Sequence, residues 1–258
     1  MEVTERFERL VSEGEPALDE GAFLIAAHAH PGLDVDGALA QLDAIARGCP
    51  AATLDGLRQY LFEELGFRGN HDDYSDPENS FLDSVIDRRI GLPITLSVLT
   101  IEVARRVGVH LHGVGMPGHF LVRSGDDPGL FLDPFHGGRA MGEPECREIF
   151  ESVNPATPWR GEFLDATPPS AVLWRMLANL HQAFLSRSSL GSLRWVLELQ
   201  LRFPNVPARE RRRVAALLGS VGSLDRAADE LEAVAEELPV EAAQQARRQA
   251  DVLRARLN

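Results

Sequence analysis

The chain has 258 residues, enough for a sizeable core and for more than one packing unit, because single domains cluster at about 100 to 200 residues. Its 26 basic residues are all arginine and meet 39 acidic ones, so the net charge of -13 opposes nonspecific binding to nucleic acid or anionic membrane. No apolar run reaches membrane-spanning length, and the start is charged; with Cys49 and Cys146 the only cysteines, a disulfide framework and a Cys-only zinc site are excluded and a cytoplasmic protein is expected.

Residues 1–69 read as helical. Ala22 to Ala26, Ala38 to Ala46 and Leu57 to Leu65 carry apolar positions at helical spacing, and Gly66 ends the last of them. His28 and His30 lie two apart on such a helix and share no face, so the pair is not expected to hold a metal. Cys49, at a Gly48-Cys49-Pro50 break, reads as part of a helix stop rather than as a nucleophile. Asn70 to Ser80 is polar and turn-rich. It reads either as a functional loop or as the lead-in to an N-cap, at Asn79 or Ser80, for a helix through Ile86.

Pro93 suits the first turn of a helix, where its missing N–H costs nothing; Leu96, Leu99, Val103 and Val107 form its buried stripe, and Gly108 ends it. Strands are predicted over Leu111 to Met116, Gly118 to Arg123 and Leu130 to Phe135. The last two flank the turn Ser124 to Gly129. A hairpin symmetric about Asp126 pairs Leu121 with Phe131 and His119 with Asp133, and opposed side chains share a face with Cβ atoms about 4.5 to 5.5 Å apart. From about Pro168 the pattern is helical again. Ser189-Leu190 recurs as Ser223-Leu224, and Leu197 as Leu231, at the helix-turn-helix period of tetratricopeptide repeats. Arg209, Arg211, Arg212 and Arg213 read as a solvated helix face among acidic neighbours.

A helix N-terminus supplies free N–H groups and positive potential, and a His–Asp pair beside it completes the constellation used for acyl transfer. Four ordered segments carry that arrangement here: Asp76-Pro77-Glu78-Asn79-Ser80, Arg89 to Ile94, Gly115 to Val122, and Phe131 to Gly138. Together they resemble the transglutaminase-like superfamily, and specifically its bacterial SirB-type branch, which is similar to this chain over nearly its whole length. The resemblance implies an α+β fold: a transglutaminase-like (papain-like) core, residues 70–167, of one helix on an antiparallel sheet. An N-terminal helical region, 1–69, and a C-terminal tetratricopeptide-like helical region, 168–258, flank it.

In catalytic members of the superfamily a cysteine opens the helix, and counting from Gly91 and from Gly108 places it at Pro93. His119 and Asp133 match the other two members. The resemblance therefore implies an atypical protein without its nucleophile, expected to bind a protein or peptide partner in a regulatory role, with Asn79, Gly118 and His136 as binding positions. The alternative is a hydrolase or acyltransferase in which Ser97 or Thr95 replaces the cysteine and His119 with Asp133 serves as base and orienter. No cofactor is expected. A metal held by His110 and His112 with His119 or His136 is a third arrangement the spacing permits, although such histidines more often satisfy local bonds.

Overall fold

The structure is a computed structural model that describes residues 3–256. In chain order the helices and strands are α1 (Val3–Ser12), α2 (Leu18–Ala29), α3 (Val35–Arg47), α4 (Leu54–Arg58), β1 (Arg68–Gly69), α5 (Leu82–Arg88), β2 (Ile90–Gly91) and α6 (Pro93–Val107). They continue with β3 (Leu111–Val114), β4 (Leu121–Ser124), β5 (Phe131–Asp133), β6 (Arg139–Met141), α7 (Glu143–Val153), α8 (Pro169–Ser186), α9 (Leu190–Gln200), α10 (Ala208–Ser220), α11 (Leu224–Ala235) and α12 (Val240–Ala255). A π-helical stretch, Gln59–Glu64, follows α4 directly, and Gly66, at φ 73°, terminates it in the left-handed region. No described helix is long and apolar enough to cross a membrane.

The chain packs as two compact units. One is Glu15–Met176; the other groups α1 with the segment from Leu177 onward. At the centre of the first lies α6, buried on every side from Pro93 to Ala104. Proline at its first position, and Gly108 at φ 84° after its last, bound it where the sequence places them.

Beside α6 runs an antiparallel meander in the order β3-β4-β5-β6, while β1 and β2 form a separate parallel pair of two residues each. One face of the meander turns to α6: a Cβ at Gly113 would lie 3.0 Å from the Phe120 ring and 3.6 Å from Ile101. The opposite face carries Val114, Leu121, Phe131 and Met141, which join Cys146 and Phe150 of α7 and Leu164 in one buried cluster. Alternation along the strands produces both faces, as a sheet covered on two sides requires.

The hairpin differs from the expected register. Val122 pairs with Leu132 and Arg123 with Phe131, so the turn is centred one residue later, at Asp127, and the strands slide by two. The reason is local: the Ser124 side chain accepts the Asp127 N–H and the Asp127 side chain accepts the Gly129 N–H, which centres the turn on Asp127. A slide of two leaves each side chain on its original face. The strands are also shorter than predicted, and β6 and α7, absent from the sequence reading, complete the sheet and cover it. Neither Asn79 nor Ser80 caps α5. Both lie in a 3₁₀ turn, Pro77–Ser80, and the residue before α5 is Phe81.

The described part of the second unit is helical. α9 and α11 follow Ser189 and Ser223, which share nearly the same backbone angles, and Leu197 and Leu231 are both fully buried. An alanine-rich cluster, Ala215, Ala228, Ala235, Ala243, Ala246 and Ala250 around Leu231, lets α10, α11 and α12 pack together. The arginine run lies on α10 and is largely paired: Arg211 with Glu230 and Glu237, Arg212 with Gln245, and Arg213 with Glu210.

Candidate functional site

Asp133 is the hub of the site. It is 1% exposed, and as β5 gives way to a 3₁₀ turn, Pro134–His136, its Oδ1 accepts the backbone N–H groups of Phe135 and His136 at 3.1 and 3.3 Å. Its Oδ2 meets two imidazoles, His119 Nε2 at 2.8 Å and His136 Nδ1 at 2.7 Å. Burial pushes the Asp133 carboxyl up, but the hydrogen bonds and charges of His119 and His136 outweigh it and hold the group below the usual carboxylate range. His119 lies outside β4, and the turn before that strand carries its ring to Asp133.

A turn presents His119. Its N–H donates to Met116 O at 3.0 Å, and Gly118 between them has φ 81°. A Cβ at Gly118 would stand 2.6 Å from Val153, so both the backbone angle and the close approach of α7 call for glycine. Arg175, on α8, braces the same turn: its Nη2 donates to Met116 O and His119 O at 3.0 and 2.8 Å, and its guanidinium sits over the Phe120 ring. Sequence reasoning missed this residue, since nothing in its local pattern ties it to a turn 56 positions earlier.

The loop before α5 forms the neighbouring wall. Asn79 is fully buried: its Oδ1 accepts from Asn70 Nδ2 at 2.9 Å, and its Nδ2 donates to Asp73 O at 2.7 Å. Its own carbonyl accepts the Leu92 N–H, so one asparagine ties the loop to the start of α6. His71 and Tyr74 are thereby set against the Phe135 ring at 4.6 and 5.8 Å between centroids, and His71 also lies 5.5 Å from His136. Phe135 itself fits only because residue 69 is glycine; a Cβ there would stand 2.5 Å from its ring. A buried His–Asp pair is thus rimmed by exposed rings, Tyr74 at 55% and His136 at 50%.

Pro93 occupies the first position of α6 and offers no nucleophile. Thr95 and Ser97 are fully buried, and neither hydroxyl has a hydrogen-bond partner, in the helix or at His119. The remaining candidates lie elsewhere. His110 and His112 are exposed beside Gly125 at the hairpin turn, so no cluster joins them to His119 or His136. His28 Nδ1 bonds to Leu24 O of its own helix, and His30 Nδ1 bonds to Asp83.

Cys49 is half-buried with its thiol on Ala51 O. Cys146 is fully buried under the sheet, and burial pushes its thiol up to about 12. A thiol reagent is therefore expected to titrate one cysteine in the native protein and the second only with unfolding. Two fast equivalents at neutral pH would contradict the packing of α7.

The comparisons with known proteins accord with this geometry. A profile described as the transglutaminase-like superfamily matches residues 24–178, which span the hub, its turn and α6. A UPF0162 protein of Xylella fastidiosa is 41% identical over 168 residues, covering 63% of this chain, and the chain spans 60% of that protein's length. A UPF0162 protein of Pseudomonas aeruginosa is 31% identical over 228 residues, 84% of this chain and 78% of the relative. F-box only protein 21 of the mouse is 35% identical over 105 residues, 37% of this chain and 17% of that protein. No solved structure matches the chain. By the extent of these matches the chain belongs to the transglutaminase-like superfamily and, within it, to the UPF0162 proteins.

Proposed function

We propose that this chain is a SirB-type transglutaminase-like protein that binds a protein or peptide partner instead of transferring acyl groups, acting as a cytoplasmic regulatory module. The observation that carries the reading is Pro93 at the first position of α6, where the resemblance expects the nucleophile. The His119–Asp133 pair persists without a group to activate. Around it Tyr74, His71 and His136 offer exposed ring faces, the kind of surface that anchors peptide side chains. The likeness of a 105-residue segment to part of a much longer protein is consistent with a module that operates inside different chains. The C-terminal helices, tetratricopeptide-like in their period, add surface to the same task.

The hydrolase reading has less support. A hydroxyl nucleophile needs a base within about 3 Å, and Thr95 and Ser97 have no polar partner. The test assays the purified protein for acyl transfer to an amine and for peptide and ester hydrolysis, and in parallel compares capture of a partner by wild type and by Tyr74→Ala. Background activity together with capture lost in Tyr74→Ala is the expected result. Turnover that disappears in Ser97→Ala would overturn it in favour of the hydroxyl enzyme.

A further inference from the structure

Asp133 holds one imidazole more than the orienting role requires. A carboxylate that aligns a base needs one histidine, yet His119 Nε2 and His136 Nδ1 both converge on Oδ2, and the three ligand atoms lie within 4.8 Å of one another. We infer that His119, Asp133 and His136 form a binding site for a divalent transition cation of the zinc class.

Two imidazoles and one carboxylate are the donor set that holds such ions in sites with an open position for water. The chain builds it from two places. Asp133 and His136 stand three apart in a 3₁₀ turn, where residues at that spacing eclipse one another, and the turn at Gly118 brings His119 across to them. The outer support is in place as well: Oδ1 is fixed by two backbone N–H groups, so the carboxylate presents Oδ2 in one direction.

Ligands about 2.0 to 2.2 Å from a tetrahedral ion stand roughly 3.3 to 3.6 Å apart, so each Asp–His separation opens by less than about 1 Å, and the His–His separation, within 4.8 Å, closes by at most about 1.5 Å. Without the ion, each imidazole directs an N–H at Oδ2. With it, His119 Nε2 and His136 Nδ1 are the ring atoms that face the ion. His136, half exposed, leaves a side of the site open to solvent for the remaining ligand. His71, whose ring lies 5.5 Å from that of His136, stands at the margin of that opening.

The inference concerns the same retained pair as the proposed function, but its readout is metal uptake, so either can fail alone. The experiment titrates the purified full chain, stripped with a chelator, with Zn²⁺ against a competing dye, and separately with Co²⁺ followed by visible absorption. Wild type is expected to take up one equivalent, and Co²⁺ to give d–d bands with no thiolate charge-transfer band. His136→Ala, at a half-exposed position, is expected to weaken binding about 100-fold while the far-UV circular dichroism stays that of wild type. His110→Ala, remote at the hairpin turn, is expected to leave it unchanged. Absence of stoichiometric uptake, unchanged affinity in His136→Ala, or a thiolate band assigning the ion to Cys49 would overturn the inference.

Discussion

Replacing Arg106 with alanine is expected to destabilise the protein by about 3 kcal/mol, because it strips the main counter-charge from two buried carboxylates. Asp19 on α2 and Glu102 on α6 are 3% and 4% exposed. Arg106, at 13%, reaches Asp19 at 2.6 Å, Glu102 at 2.9 Å and Asp43 at 2.7 Å. Burial raises the Glu102 carboxyl, and the neighbouring Asp19 raises it further. Asp19, also pushed up by burial, is brought below its ordinary range by its bonds to Arg106 and to the Glu20 N–H.

Arg105 touches the same two carboxylates but is 60% exposed, so Arg105→Ala is expected to cost only about 1 kcal/mol. The sign with pH follows from these directions. In wild type the stability contributed by Asp19 is present above its unfolded value and is lost as pH falls through its depressed folded one. In Arg106→Ala the two carboxylates repel, and protonating Glu102 relieves that repulsion. The deficit is therefore expected to shrink toward about pH 4 to 5, the ordinary carboxylate range. Urea denaturation of both variants at several pH values checks this, and equal losses for the two arginines would refute the pairing assigned here.

The second large effect is expected at Phe135. Its ring is 6% exposed, fills the space left by Gly69, and lies against His71, Tyr74, His119 and His136. Truncation to alanine removes that wedge and opens a cavity, at a cost of about 3 to 5 kcal/mol. It also removes the common wall of three imidazoles. The histidine ring resonances in a proton NMR spectrum should then shift together at His71, His119 and His136 while those of His28 and His30 stay in place. A loss below about 1 kcal/mol, or a shift at one ring only, would mean that the ring does not organise the site.

How much of the site was legible depended on how local its causes are. Pro93 and Gly108 bound α6 by backbone rules that act within one residue, so the helix on which the nucleophile would sit was readable from spacing alone. The His119–Asp133 contact was expected from a hairpin register that proved off by two, and the pair meets at 2.8 Å because the Gly118 turn, outside β4, carries His119 to Asp133. His136 was named as a binding position, but its bond to the Oδ2 that His119 also uses follows from a 3₁₀ turn that the strand pattern through Phe135 concealed.

Asn79 shows the opposite case. A polar residue ahead of a helix satisfies the rule for an N-cap, and the rule failed because a better set of partners, Asn70 and Asp73, lay in the folded loop. Arg175 and Arg106 were illegible for a related reason. Each arginine acts on atoms tens of positions away, and the residue type that makes a surface helix soluble is the same one that neutralises a buried carboxylate or braces a turn.

By itself, then, the sequence determined the absence of a thiol at residue 93, and also the helical periods, their stops and the alternation along the strands, because each of these is set by neighbours along the chain. Only the tertiary structure decided the register, the second imidazole on Asp133, the ring wall around Phe135 and the burial of Arg106 between two acids. Those depend on which distant groups pack together, where a buried charge or a missing Cβ is stable only with its particular partner.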